Sequence, residues 1–289
     1  MGVLIEDKFR KWEEECEGRL LRLKANEEEL NRIFADLYGL GGEISPEVDG
    51  ARISVREAQL SREIRSLVSY AVGCVFGRYS PDRDGLCFAG GEWDESCYRS
   101  VIPAADNVVC ITPTGTEQDA LRRFTDFVGK VYGADALEEN MSFISLALGG
   151  KGDPGKTLQE YFENGFYPDH LRTYRKRPLY WMVSSGPRGA LRALIYCHRY
   201  EPAVFGKIKS GALSARIRFL ERELSGLKEG RNSPSSTGAG GNSLEKDLKE
   251  LECFSKKLDE LSARRVILDH NDGIRHNYAL LSEVLEEIR

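Results

Sequence analysis

"LALGGKGDPGKTLQE", residues 146–160, is the stretch whose reading decides the fold. Gly150 to Thr157 match the phosphate-loop pattern G-x-x-x-x-G-K-[ST] in full. Such a loop works only after a buried strand, with further parallel strands beside it, so a true match implies a nucleotide-binding α/β sheet. The residues before it do not fit. Leu137, Met141, Ile144 and Leu148 step by four, three and four, the spacing of a helix. Helical periodicity resumes at Leu158 and runs to Tyr174. "VILD" at Val266–Asp269, a possible acidic partner strand, continues a helical region. The motif therefore reads as a polar Gly-Pro loop between two helices, without ATP or GTP, and the fold class as α+β, predominantly α-helical.

Working outward, apolar residues from Ile5 through Phe9, Trp12, Cys16 and Leu20 to Leu30, Phe34 and Leu37 make one stripe along a helix over 5–37. Such a helix is about 50 Å long, too long for a small domain to wrap. A second helix is expected from Val55 to Arg78, its C-terminal half apolar nearly all round and hence buried. Short strands are expected at Leu86–Ala89 and Val108–Thr112, and helices at Asp119–Tyr132 and Leu137–Leu148. Leu179–Ser184 and Ala193–Tyr200, joined by a turn-rich stretch, read as a β-hairpin. Beyond Phe205 the seam Leu213, Ile217, Leu220, Leu224, Leu227 and a second seam from Leu244 to Leu261 predict an antiparallel coiled-coil-like hairpin. Residues 229–243 between them have the composition of a flexible linker. A last helix is expected over Tyr278–Ile288. The implied division is a spacer helix (1–40), a mixed α/β domain with a basic-aromatic hairpin (41–200) and a helical hairpin (201–289).

Composition excludes some classes. With 41% apolar and 30% charged residues the chain is of ordinary globular type, and a formal charge of −5 is too mild to imply a partner. Attraction to an acidic polymer has to come from a local patch. The longest uncharged stretch, Ser66–Gly77, is too short to cross a bilayer, and no secretory leader is evident. Seven cysteines without a CxxC pair suit reduced, buried thiols in a cytoplasmic protein rather than zinc.

Catalytic signals are weak. "DLYGLGG" at Asp36–Gly42 has the glycines of an S-adenosylmethionine loop but follows a helix, and no strand with a terminal acid succeeds it. The tetrapeptide [DNS]-P-P-[YFW], the amino-group clamp of adenine and cytosine methyltransferases, is missing. His170, His198, His270 and His276 show no metal-ligand spacing, and no nucleophile elbow exists. The remaining signal is Asp169–Tyr200, where Arg172, Arg175, Lys176, Arg177, Arg188, Arg192 and Arg199 interleave with Tyr174, Tyr180, Trp181, Tyr196 and Tyr200. Cations position phosphates while aromatics pack or stack, so the pattern suits nucleic acid. It equally suits a helix end with dipole-favoured cations followed by a core hairpin, in which Trp181 belongs to the core. Composition alone leaves both open. Arg172, Arg175, Lys176 and Arg177 are the candidate nucleic-acid phosphate contacts.

Five blocks, "NEEELNRIFADLYGL…ISPEV", "SYAVGCVFGRYS", "GFYPDHLRTYRKRPLYWMVSSG", "ALIYCHRY" and "ILDHNDGIRHNYA", carry a resemblance that runs from about Asn26 to the last helix. They resemble the C-terminal region of the PglX family, adenine-specific DNA methyltransferases of BREX phage-defence systems. The resemblance implies a post-catalytic region that helps the enzyme engage double-stranded DNA, with the methyltransferase domain and other defence-complex subunits as partners. It carries over no catalytic residue, metal or cofactor site; S-adenosylmethionine belongs to the full-length enzyme, and this chain alone is expected to be inactive. The alternative is a structural or partner-docking module that touches no DNA. Gly149–Thr157 lies outside the resembling blocks.

Overall fold

Helix α1 (Ile5–Leu37) has the limits expected from its stripe. The computed structural model describes residues 2–50, 53–228 and 237–288. Asn140 anchors the start of α1: its side-chain oxygen accepts the Ile5 N–H at 2.8 Å, and its amide nitrogen donates to the Val3 carbonyl at 3.0 Å. Farther along the stripe meets little, for Leu30, Phe34 and Leu37 are exposed. The chain then doubles back, the Asn31 side chain donating to the Pro46 carbonyl and the Val48 N–H to Glu28.

Helix α2 (Leu60–Val75) is shorter than the Val55–Arg78 expected, and its C-terminal half is buried as its composition requires. Leu86–Ala89 forms no strand. That loop is held by polar contacts instead: Asp82 accepts the Arg99 and Ser100 amides, both at 2.8 Å, and the Tyr98 hydroxyl donates to Gly77. Strand β1 (Val109–Cys110), α3 (Ala120–Tyr132) and α4 (Leu137–Ala147) follow.

The expected helix 158–174 is really α5 (Pro154–Tyr161), a widened π turn (Phe162–Phe166) and α6 (Tyr167–Thr173). Pro168 explains the interruption. Its ring clashes with the preceding turn and it has no N–H to donate, and a π bulge relieves both.

Strands β2 (Tyr180–Ser184) and β3 (Arg192–Tyr196) pair antiparallel, Tyr180 opposite Tyr196 and Ser184 opposite Arg192. Strand β1 adds to β3, giving the order β1-β3-β2. The strand expected to reach Tyr200 stops at Tyr196, where a 3-10 turn begins. Both faces are covered, so the strands read as continuous apolar runs rather than alternating ones.

Helix α7 (Val204–Ile208) continues through a second π turn into α8 (Ser214–Lys228), and α9 (Thr237–Arg264) returns beside them. The return is antiparallel: Gly206 faces Ser262, Gly241 faces Leu224, and Lys209 pairs with Asp259 at 2.6 Å. Since α9 begins at Thr237, residues 237–243 of the expected linker are helical; residues 229–236 lie outside the described residues. Leu251, Phe254, Leu258 and Leu261 are fully buried, in the same apolar cluster as the sheet.

The expected terminal helix is corrected. Helix α10 spans only Ile274–Ala279, and the chain after it turns back to the sheet. Leu285 bridges Val183 antiparallel, the Ser184 N–H donates to the Val284 carbonyl and the Glu286 N–H to Met182, both at 2.8 Å. The outer edge of β2 thus has partners for its backbone groups, as a buried edge requires.

Candidate nucleic-acid interface

The four candidate cations lie where α6 ends. After Thr173 the chain must reverse into β2, and it does so without glycine: Arg175 and Lys176 both take left-handed backbone, at φ 50° and 58°. The Lys176 N–H donates to the Leu171 carbonyl at 2.8 Å and the Arg177 N–H to Tyr174 at 3.0 Å, closing the turn. Left-handed backbone costs a side-chain-bearing residue about 1 kcal/mol or more. Two such residues in succession, both cationic, are an expensive way to stop a helix when a glycine serves. Arg172, Arg175, Lys176 and Arg177 are all exposed. Arg172 is tied to Asp169. Among the described residues, no carboxylate pairs with Arg175, Lys176 or Arg177.

Three of the four line a cleft of about 1240 Å³ that reaches the hairpin loop at 186–190; Arg177 does not line it. Arg188, Arg192 and Arg216 line it too, against Glu163, Asp247, Glu286 and Glu287. The second set of arginines serves the scaffold. Arg188 Nε donates to Asp247 at 2.5 Å, Arg192 to the Glu163 carbonyl at 2.7 Å, and Arg216 to the carbonyls of Ala190 and Pro113 at 2.8 and 2.6 Å. Burial depresses the Arg216 guanidinium below its usual range, against the pull of nearby carboxylates. The cleft is therefore mixed in charge, and its uncommitted cations sit at the α6 end. Arg216 was missed from sequence because it comes from α8; its one signal is a cation amid the Leu213–Leu220 seam.

The aromatics separate from the cations. Tyr180, Trp181 and Tyr196 are buried, and the Trp181 indole N–H donates to the Pro178 carbonyl at 3.0 Å. Arg199 lies over the Trp93 ring at 4.5 Å and donates to the Phe76 carbonyl. The hairpin strands are core elements, and the exposed charge lies at their approach and, at Arg188, on their connecting loop. His170 locks that approach: its Nε2 accepts the N–H groups of Leu179 and Tyr180 at 3.0 and 3.1 Å. An Nε2 that accepts twice leaves the proton on Nδ1. Burial, helped by the Arg78 charge, pushes the imidazole down to about 3, so it is neutral at ordinary pH.

The remaining motifs resolve geometrically. The Gly150–Thr157 loop follows helix α4, and Asp153 caps α5 by accepting the Gly155 N–H at 2.8 Å, where a phosphate loop needs that amide for its anion. Thr157 donates to the Asp153 carbonyl of its own helix. "DLYGLGG" begins inside α1, with no strand before it. All seven cysteines are free, and five are buried. No group of residues suited to a metal ion occurs among those described, and no helix among them is long and apolar enough to cross a membrane.

No family model matches the chain. It is similar to two curated proteins, the adenine-specific methyltransferase PglX of Lacticaseibacillus casei (strain Zhang), 40% identical over 95% of this chain, and the adenine-specific methyltransferase BrxX of Escherichia coli O9:H4 (strain HS), 29% identical over 79%. The chain spans 24% and 21% of the length of these relatives. The matched part of PglX is a C-terminal region, so the resemblance carried by the five sequence blocks extends over nearly the whole chain.

Proposed function

We propose that this chain is the DNA-engaging, target-recognition or clamp region of a site-specific adenine DNA methyltransferase of a phage-defence system, acting in the cytoplasm. The observation that carries the reading is the turn after α6. Its cations are exposed, Arg175 and Lys176 are held in left-handed backbone, and among the described residues no carboxylate pairs with Arg175, Lys176 or Arg177. Arg172, Arg175, Lys176 and Arg177 grip backbone phosphates, while the buried hairpin and His170 fix the turn. Sequence choice does not come from these contacts, because phosphate contacts position a protein and base contacts specify. Methyl transfer, and S-adenosylmethionine with it, belongs to the methyltransferase domain of the parent enzyme; nucleotide triphosphate binding at Lys156 is disfavoured by the Asp153 cap. The test is a salt titration of duplex binding by the wild type and by Arg175→Ala/Lys176→Ala.

One observation favours a second reading, a docking module for other defence-complex subunits. Leu30, Phe34 and Leu37 form an exposed apolar strip on α1. Duplex affinity indifferent to both salt and the double substitution selects that reading.

A further inference from the structure

On the α2 side of α6, away from Arg175 and Lys176, lies a second pocket of about 730 Å³. Its size falls within the roughly 300–1,000 Å³ of small-molecule sites. The walls are unusually aromatic: Tyr70 and Tyr79 stack with ring centres 5.6 Å apart, and Tyr174 lies 4.7 Å from the His170 ring. Four arginines line the pocket; Arg62 is paired with Glu63 at 2.7 Å, while Arg65 and Arg172 share the single lining carboxylate, Asp169. Both guanidiniums converge on that carboxylate, Arg65 at 3.4 Å, and the Tyr161 hydroxyl donates to it at 3.0 Å. One negative charge is thus shared between two cations. His170 contributes to the lining and is 3% exposed; its Nδ1, the nitrogen left with the proton, is buried without an acceptor. A buried N–H lacking a partner is uncommon in a folded chain.

We propose that this pocket is a nucleotide site, in which a base packs among Tyr70, Tyr79 and Tyr174 while its phosphate rests on Arg65 and Arg172. A base offers what the pocket lacks: a flat π face for the tyrosines and an attached anion for the arginines. The nucleotide comes either free or as an unpaired residue of a DNA strand. Apart from Arg172, the site shares no residue with the proposed phosphate grip.

The test uses the 289-residue chain. Calorimetry with each of the four deoxynucleoside monophosphates probes the free form, and fluorescence of a duplex with one bulged 2-aminopurine, against its fully paired counterpart, probes the strand form. Ser69→Trp fills the pocket from α2, and Arg65→Ala removes one cation from a half-exposed position without touching the core. Saturable binding in either arm that both variants weaken, and that Tyr174→Leu weakens by about tenfold, supports the proposal and identifies the source. Arg175→Ala/Lys176→Ala leaves this binding intact, which separates the pocket from the grip. No binding in either arm, binding that Ser69→Trp and Arg65→Ala leave unchanged, or inorganic phosphate competing as well as the nucleotide overturns it.

Discussion

Glu250 on α9 accepts the Ser185 hydroxyl at 2.7 Å, joining a helix to a hairpin loop 65 residues earlier in the chain. The same carboxylate accepts the Arg188 N–H at 2.9 Å and the Ala190 N–H at 3.0 Å, so one side chain satisfies most of the loop's inward polar groups. Burial alone raises such a carboxyl, but these hydrogen bonds outweigh it and hold Glu250 below its usual range. A carboxylate depressed on folding stabilises the native state at neutral pH, and the contribution is lost as pH falls through the folded value.

Glu250→Ala strands two backbone N–H groups and a hydroxyl at the loop, and is expected to cost on the order of 2 kcal/mol. Asp259→Ala, which removes only the ion pair with Lys209 on the helical surface, is expected to cost about 0.5 kcal/mol or less. Urea melts of the two variants check the contrast. Equal midpoints mean that Glu250 is a surface charge and not a tie.

His170 predicts an acid-labile step. Its folded value of about 3 lies below the ordinary 6.5, so between those values the unfolded chain binds a proton that the folded chain refuses. Stability is full above about pH 6.5 and declines as pH falls toward 3, at up to about 1.4 kcal/mol per unit. His170→Gln keeps an oxygen to accept the Leu179 and Tyr180 amides and does not titrate. Urea midpoints taken between pH 7 and 4 are expected to fall less steeply in the variant. Parallel pH profiles mean that His170 is not the group responsible.

Helix seams and the spacer stripe look alike in sequence but differ in burial, and substitution separates them. Leu258→Ala empties a fully buried position and is expected to cost about 2–5 kcal/mol, and Leu220→Asp, which buries a charge, about 3 kcal/mol or more. Phe34→Ala, at a side chain 53% exposed, is expected to change stability by about 0.5 kcal/mol or less. Thermal melting of the three variants orders them. A loss at Phe34 as large as that at Leu258 places the α1 stripe against a partner, a second copy of the chain included.

What periodicity carries was legible in advance, because it is local. The limits of α1 and the buried half of α2 follow from local pattern, and so does the hairpin from its two apolar runs and turn-rich connection, though its second strand ends at Tyr196 and not at Tyr200. Non-local pairing was not. The segment 280–288 has helical spacing, Leu281, Val284, Leu285 and Ile288, yet its amides and carbonyls find the edge of β2, and nothing in those residues names that edge. The break at Pro168 was readable in principle, since a proline ten residues past Leu158, the expected start of the helix, demands an accommodation. At the candidate interface the cations were visible as charge. Their left-handed backbone was invisible, because Arg and Lys have no special preference for it, and Arg216 and Glu250 reach the site from helices far along the chain.

The phosphate grip makes a quantitative prediction. Each neutralised phosphate releases condensed counterions, so four contacts give a slope of about −3.6 in log K against log salt. Arg175→Ala/Lys176→Ala removes two of them and is expected to flatten the slope by about 2 and to weaken binding to every sequence alike. Replacing both residues with glycine gives a sharper comparison. Glycine enters left-handed backbone freely, so the glycine variant keeps the turn, and any gain in melting temperature reports the strain that the cations impose. A protein that is more stable yet binds duplex DNA less tightly is the signature of residues kept for the contact and not for the fold. Gel-shift or anisotropy titrations between about 50 and 200 mM salt, with melting curves on the same samples, give both readings. Unchanged slopes in both variants return Arg175 and Lys176 to the role of charges that close a helix end.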